Sequence, residues 1–171
     1  MTGVQTCALP IFWRAGVRTA ANNSKWFLAD ASYETLDAHW IANEVWPAWV
    51  ASLPPRLRTT RDVGGGKEIA VPRWIAEVWD CDDHALSFWE FVIRCRAKTA
   101  AENPPAQYAG TGGGTLAYVA ELKAGNLRLG AHDIFWFIDG EKNFRVFEPA
   151  DGSFVVLTAG EIASVMGGEA R

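Results

Sequence analysis

The chain has 171 residues, of which 49% are hydrophobic and 12% aromatic, enough apolar surface to build one domain with its own core and too much for a disordered chain. A formal net charge of −4 and a pI near 5.4 leave no basic stripe for phosphates, so no nucleic acid partner is expected. No stretch approaches the roughly 18 consecutive apolar residues that a spanning helix needs, so no membrane partner is expected either.

In chain order, Met1 to Ile11 (MTGVQTCALPI) match one reading frame of a common short-read sequencing adapter translated from a GTG start. These residues are expected to be an artefact, with residues 12–171 forming a single domain truncated at its N-terminus. Setting Cys7 aside leaves Cys81 and Cys95. On one helix they would stand roughly 21 Å apart at about 1.5 Å per residue, too far for a disulfide, so free thiols are expected.

Ser32 or Asp30 can cap a helix beginning near Tyr33, with Leu36, Trp40, Val45, Trp46 and Trp49 among its apolar positions. Pro47 is expected to kink or divide it, and Pro54-Pro55 to close it. From Arg56 to Pro72, the residues Arg58, Arg61, Gly64-Gly65-Gly66 and Lys67 predict a surface loop with a short strand near Ile69-Ala70-Val71. Its Gly-Gly-Gly-Lys lacks both the earlier Gly and the following Ser or Thr of a phosphate loop. From Cys81 onward, Ala85, Phe88, Trp89, Val92 and Cys95 fall on one helical stripe, predicting a largely buried helix with Cys81 in its first turn. Pro104-Pro105 ends the polar stretch beyond it, and Gly110 to Gly114 predicts a flexible turn or a close backbone approach. Strands are expected over Leu116 to Leu122, His132 to Ile138, Phe144 to Phe147 and Phe154 to Leu157, and a capping box at Thr158 to Glu161 opens a last short helix. The fold class is α+β, helices first and a strand-rich half after them.

Chemistry gathers at Trp79-Asp80-Cys81-Asp82-Asp83-His84. A thiol at a helix start meets unpaired N–H groups and the positive end of the macrodipole, which favour a thiolate, and the Cys81 N–H can help hold an oxyanion. Asp80, Asp82 and Asp83 oppose this and call for a positive neighbour, either His132 as imidazolium or a calcium ion with oxygen ligands. The plainer alternative is that the aspartates only favour the helix N-terminus.

His132 in Gly130-Ala131-His132-Asp133 and Glu148 in Phe147-Glu148-Pro149 supply a base and an acid in the chain order Cys, His, Glu. A three-residue hairpin loop, Asp139-Gly140-Glu141, would pair Ile138 with Lys142 and set His132 directly opposite Glu148 on one face. A two-residue Asp139-Gly140 turn would send them to opposite faces. The longer loop is expected, with Glu148 orienting the His132 that deprotonates Cys81. His39 and His84 are lesser candidates for the base. Most of the nine tryptophans fall on apolar stripes as core residues, Trp79 being the candidate cleft wall.

Asp80-Cys81-Asp82-Asp83 with Ala85, Gly130-Ala131-His132 and Glu148-Pro149 together resemble the papain-like C-terminal domain of a mushroom agglutinin and related bacterial and phage-encoded proteins, over roughly residues 30 to 165. The resemblance implies a papain-like cysteine protease fold with a buried nucleophile helix packed on an antiparallel sheet. It implies a calcium-dependent cysteine peptidase acting on peptide or protein substrates, with Cys81 as nucleophile, His132 as base and Glu148 as third member. It also implies calcium ligands at Asp82 and Asp83, to which Asp80 and Asp151 are added as candidates. The chain departs from that pattern in having Ala150 and Asp151 where a Gln follows Glu-Pro, His84 after the acidic pair, and no Gln upstream of Cys81 to complete an oxyanion hole. Two alternatives stay open. One is a bacterial transglutaminase-like cysteine proteinase, whose similar acidic motif is usually followed by His and Asp; the other is a catalytically silent binding module of the same fold.

Overall fold

The computed structural model describes residues 4–5, 33–76, 78–105, 110–120 and 130–157. The fold is α+β: helices precede a four-stranded antiparallel sheet, with two smaller sheets beside it. The possible caps Ser32 and Asp30, Cys7 and the capping box at Thr158 to Glu161 lie outside the described residues.

The first helix, α1, covers residues 38–52 as α-helical Ala38–Trp40, π-helical Ile41–Val45 and α-helical Trp46–Ser52. Pro47 does divide it. Lacking an N–H, Pro47 cannot bond back into the preceding turn, and the Trp46 N–H reaches the Ile41 carbonyl, one residue further than in an α-helix. The helix starts later than the apolar spacing predicts, because the Asp37 carboxylate accepts the Trp40 N–H at 2.8 Å. Tyr33–Glu34 form a strand instead, β2, which pairs antiparallel with β1 (Val4–Gln5) and parallel with β5 (Gly110–Thr111). An ion pair between Glu34 and Arg96 ties β2 to the second helix.

The expected loop after α1 is a hairpin of β3 (Arg58–Asp62) and β4 (Glu68–Pro72). Gly64, Gly65 and Gly66 all take positive φ, which side chains resist, and Asp62 accepts the Gly64 N–H at 2.7 Å, so the glycine run makes a turn rather than an open loop.

Helix α2 spans Cys81–Glu102 and lies across strands β6 (Gly113–Ala120) and β7 (Gly130–Ile138). The order of the main sheet is completed by β8 (Phe144–Glu148) and β9 (Ser153–Val155). The helix is buried along one stripe only, His84, Ala85, Phe88 and Val92, while Leu86 and Ile93 face solvent. The expectation of a largely buried helix is corrected accordingly: the sheet covers one face. Phe88, fully buried, meets Phe135 edge-on at 5.1 Å and stacks on Phe147 at 5.5 Å. Gly113 makes the close approach anticipated for the glycine run, since a Cβ there would stand 2.9 Å from the Trp136 carbonyl oxygen. No helix among the described residues is long and apolar enough to cross a membrane.

Candidate active site

Asp80 is extended (φ −121°, ψ −153°) and caps α2 in a reciprocal box: its side chain accepts the Asp83 N–H, and the Asp83 carboxylate accepts the Asp80 N–H at 3.4 Å. Cys81 is therefore the first helical residue and Asp82 the second. The helix start meets β7 near its beginning, where the main-chain N–H of Asp133 faces the Cys81 sulfur. Burial pushes the thiol up from its ordinary range; the Asp133 and Asp82 N–H groups oppose this, and the Asp80 and Asp133 carboxylates reinforce it. Cys81 and Cys95 are both free and half-buried.

His132 Nε2 is hydrogen bonded to Glu148 Oε2, with both side chains mostly covered. The other Glu148 oxygen accepts the Ala150 N–H at 2.9 Å. The Glu148 carbonyl takes the Gly152 N–H at 2.8 Å, with Gly152 at φ +76°. Trp46 locks this turn to α1 by donating its indole N–H to the Pro149 carbonyl at 2.8 Å.

The pair forms through a register different from the expected one. Ile138 lies opposite Phe144, not Lys142, so Glu148 is a diagonal neighbour of His132 rather than its direct partner. Both registers keep the two on one face, and diagonal pairs stay within reach of long side chains. The cause is Asp139, whose carboxylate accepts the N–H groups of Glu141 at 2.9 Å and Asn143 at 2.8 Å. Asp139 thereby stays in the ladder, bonded to the Asn143 carbonyl, and the three-residue loop becomes Gly140-Glu141-Lys142, with Lys142 at φ +69°.

The N–H that faces the Cys81 sulfur belongs to the residue after His132 in β7, and by strand alternation the His132 side chain shares the face of Ile134. Asp133, which the sequence reading passed over, shares the face of Phe135 that meets α2 by strand alternation. Burial raises its carboxyl, with Asp82 adding to the shift and His132 countering it. Its only sequence signal was its place after His132.

Of the four candidate metal ligands, two stand together. Ligand atoms of Asp80, Cys81 and Asp82 lie within 4.8 Å of one another, and hydrogen bonding with Asp80 foremost holds the exposed Asp82 carboxyl below the ordinary range. Asp83 is turned into the capping box. Asp151 is apart from the cluster, in an ion pair with Arg61 at 3.6 Å and accepting the Ser153 N–H at 2.9 Å. Two carboxylates fall short of the six to eight oxygens calcium takes, leaving most positions to water and main-chain carbonyls. A thiol is too soft to serve as one of them.

His84 follows Cys81 by one turn and is 1% exposed, enclosed by Trp49, Trp74 and Trp79. Burial lowers its pKa; the Arg73 carbonyl and the charges of Glu148, Asp83 and Asp82 act in the other direction, and neither ring nitrogen closes a hydrogen bond. No protein-family model, curated protein or solved structure matches the chain.

Proposed function

We propose that the chain is a cysteine peptidase or amide hydrolase of papain-like fold, with Cys81 as nucleophile, His132 as base and Glu148 as the group that orients the base. The observation that carries this reading is the His132–Glu148 hydrogen bond, formed next to the residue whose N–H faces the Cys81 sulfur. Glu148 accepts the hydrogen bond of His132 Nε2–H, which fixes the tautomer whose Nδ1 carries the lone pair that a base needs. His132 accepts the Cys81 proton as sulfur attacks the carbonyl carbon, and the N–H groups at the start of α2 stabilise the oxyanion. The C–N bond then breaks, His132 returns the proton to the leaving amine, and water releases the acyl group from sulfur. Calcium is an accessory in this reading: Asp80 and Asp82 would hold it and offset the negative charge beside the thiol, and no chemical step passes through it.

A second reading, a catalytically silent binding module, is favoured by the raised Cys81 thiol, since activated thiols are usually lowered. Labelling with iodoacetamide at neutral pH separates the two. The enzyme reading requires Cys81 to react much faster than Cys95, Cys81→Ala to abolish the fast phase, and His132→Ala to slow it; equal, sluggish labelling of both thiols would sink it. Calcium is tested apart from this, because an unchanged labelling rate and melting temperature after chelation remove the ion and leave the triad standing.

A further inference from the structure

The segment that joins β4 to α2 ends beside the thiol and presents two large apolar side chains to solvent. Ile75 and Trp79 close a short loop on each other, with N–H to carbonyl bonds of 2.9 and 2.8 Å in the two directions. His84 backs this loop, its ring edge-on to Trp79 at 5.1 Å and to Trp74 at 6.1 Å. Side chains three apart on a helix stand about 5–6 Å from each other at Cβ, so the cage that holds Trp74 lies on the Cys81 side of α2. Trp74 nevertheless remains 55% exposed and Val78 67% exposed.

Within the cage, Trp79 Nε1 and both His84 nitrogens are buried without a hydrogen-bond partner among the described residues. Asp80 and Asp82 flank the thiol and the exposed Arg73 precedes Trp74, so charge singles out no substrate group there, while an apolar side chain would gain the exposed indole face.

Resting on the reading of Cys81 as a nucleophile, we propose that Trp74 and Val78 form the apolar wall of a substrate subsite. The preferred substrates are peptides with a large aromatic or branched apolar side chain beside the bond that Cys81 attacks. The test uses the full chain and two chloromethyl ketones, one built on acetyl-phenylalanine and one on acetyl-alanine. In both, the Cys81 sulfur displaces chloride to form a thioether, and peptide mapping gives the rate at each cysteine. The readout is the ratio of the two rates within each protein, so changes in overall reactivity cancel.

Wild-type Cys81 is expected to react about tenfold or more faster with the phenylalanine probe, the discrimination an apolar contact of this size supplies. The ratio should fall close to one in Trp74→Ala and drop by a smaller factor in Val78→Ser, whose parent side chain is too exposed for its loss to unfold the chain. A ratio near one in the wild type, or one kept in both variants, overturns the subsite and leaves the nucleophile intact. If neither probe alkylates Cys81 faster than Cys95, the nucleophile is overturned, and the subsite with it.

Discussion

Asp139→Ala is expected to destabilise the fold by about 3 kcal/mol, because the Asp139 carboxylate holds the turn that sets β8 against β7. Asp139 is 5% exposed and accepts four hydrogen bonds: the N–H groups of Glu141 and Asn143, the Asn143 side-chain amide at 3.2 Å, and Arg145 Nε at 2.6 Å. Two main-chain bonds to a buried carboxylate contribute about 1–1.5 kcal/mol each, and the partly exposed Arg145 pair is discounted to under about 1 kcal/mol for solvent screening. The side-chain amide of Asn143, exposed, can turn to water, so its loss adds little. Asp139→Asn keeps the oxygen that serves both N–H groups but puts an NH2 where the other oxygen accepts from Arg145 Nε and the Asn143 amide, so about 1–2 kcal/mol is expected for it. Urea unfolding with the m-value checked for constancy measures both. A loss under about 1 kcal/mol for the alanine variant, or equal losses for the two, would refute the account of the turn.

Phe88→Ala should cost about 3–5 kcal/mol, the range for removing a fully buried aromatic ring, since Phe88 touches Trp49, Phe135 and Phe147; a urea midpoint corresponding to less than half of that would mean the core collapses around the gap. His84 gives the fold an acid limb. It is held neutral in its tryptophan cage with its pKa lowered by burial, so below about pH 6.5 the unfolded chain binds the extra proton. Its contribution is full above that pH and is lost as pH falls toward the lower folded value. His84→Leu should flatten the drop in urea midpoint between pH 8 and pH 5.5, and a variant that keeps the whole drop assigns it to other groups.

Much of the fold was legible in local chemistry. Asp80 and Asp83 at capping-box spacing, followed by an apolar stripe from Ala85 to Val92, place the start of α2 at Cys81, and aromatic and β-branched runs mark β7 and β8. Pro47 announces the break in α1 because a missing N–H acts wherever it stands. The misreadings have a common cause. Tyr33–Glu34 continue an apolar helical period yet become a strand, because their partner Gly110–Thr111 is far away in the chain and no local signal reports it. The short strand expected near Ile69-Ala70-Val71 is β4, but its partner β3 was hidden by its polar, exposed residues, which pair through the main chain.

The candidate site divides the same way. Residue types and spacing placed a thiol at a helix start among carboxylates and His132 and Glu148 on adjacent strands, and left their shared face to the turn between them. Tertiary structure decided the rest. Asp139 shifted the hairpin by hydrogen bonding its own turn, so that His132 meets Glu148 diagonally. Docking of α2 on the sheet brought the Asp133 N–H to face the Cys81 sulfur, and the approach of β3 to the turn after β8 paired Asp151 with Arg61. These outcomes depend on main-chain groups and on distances across the fold, neither of which side-chain identity encodes.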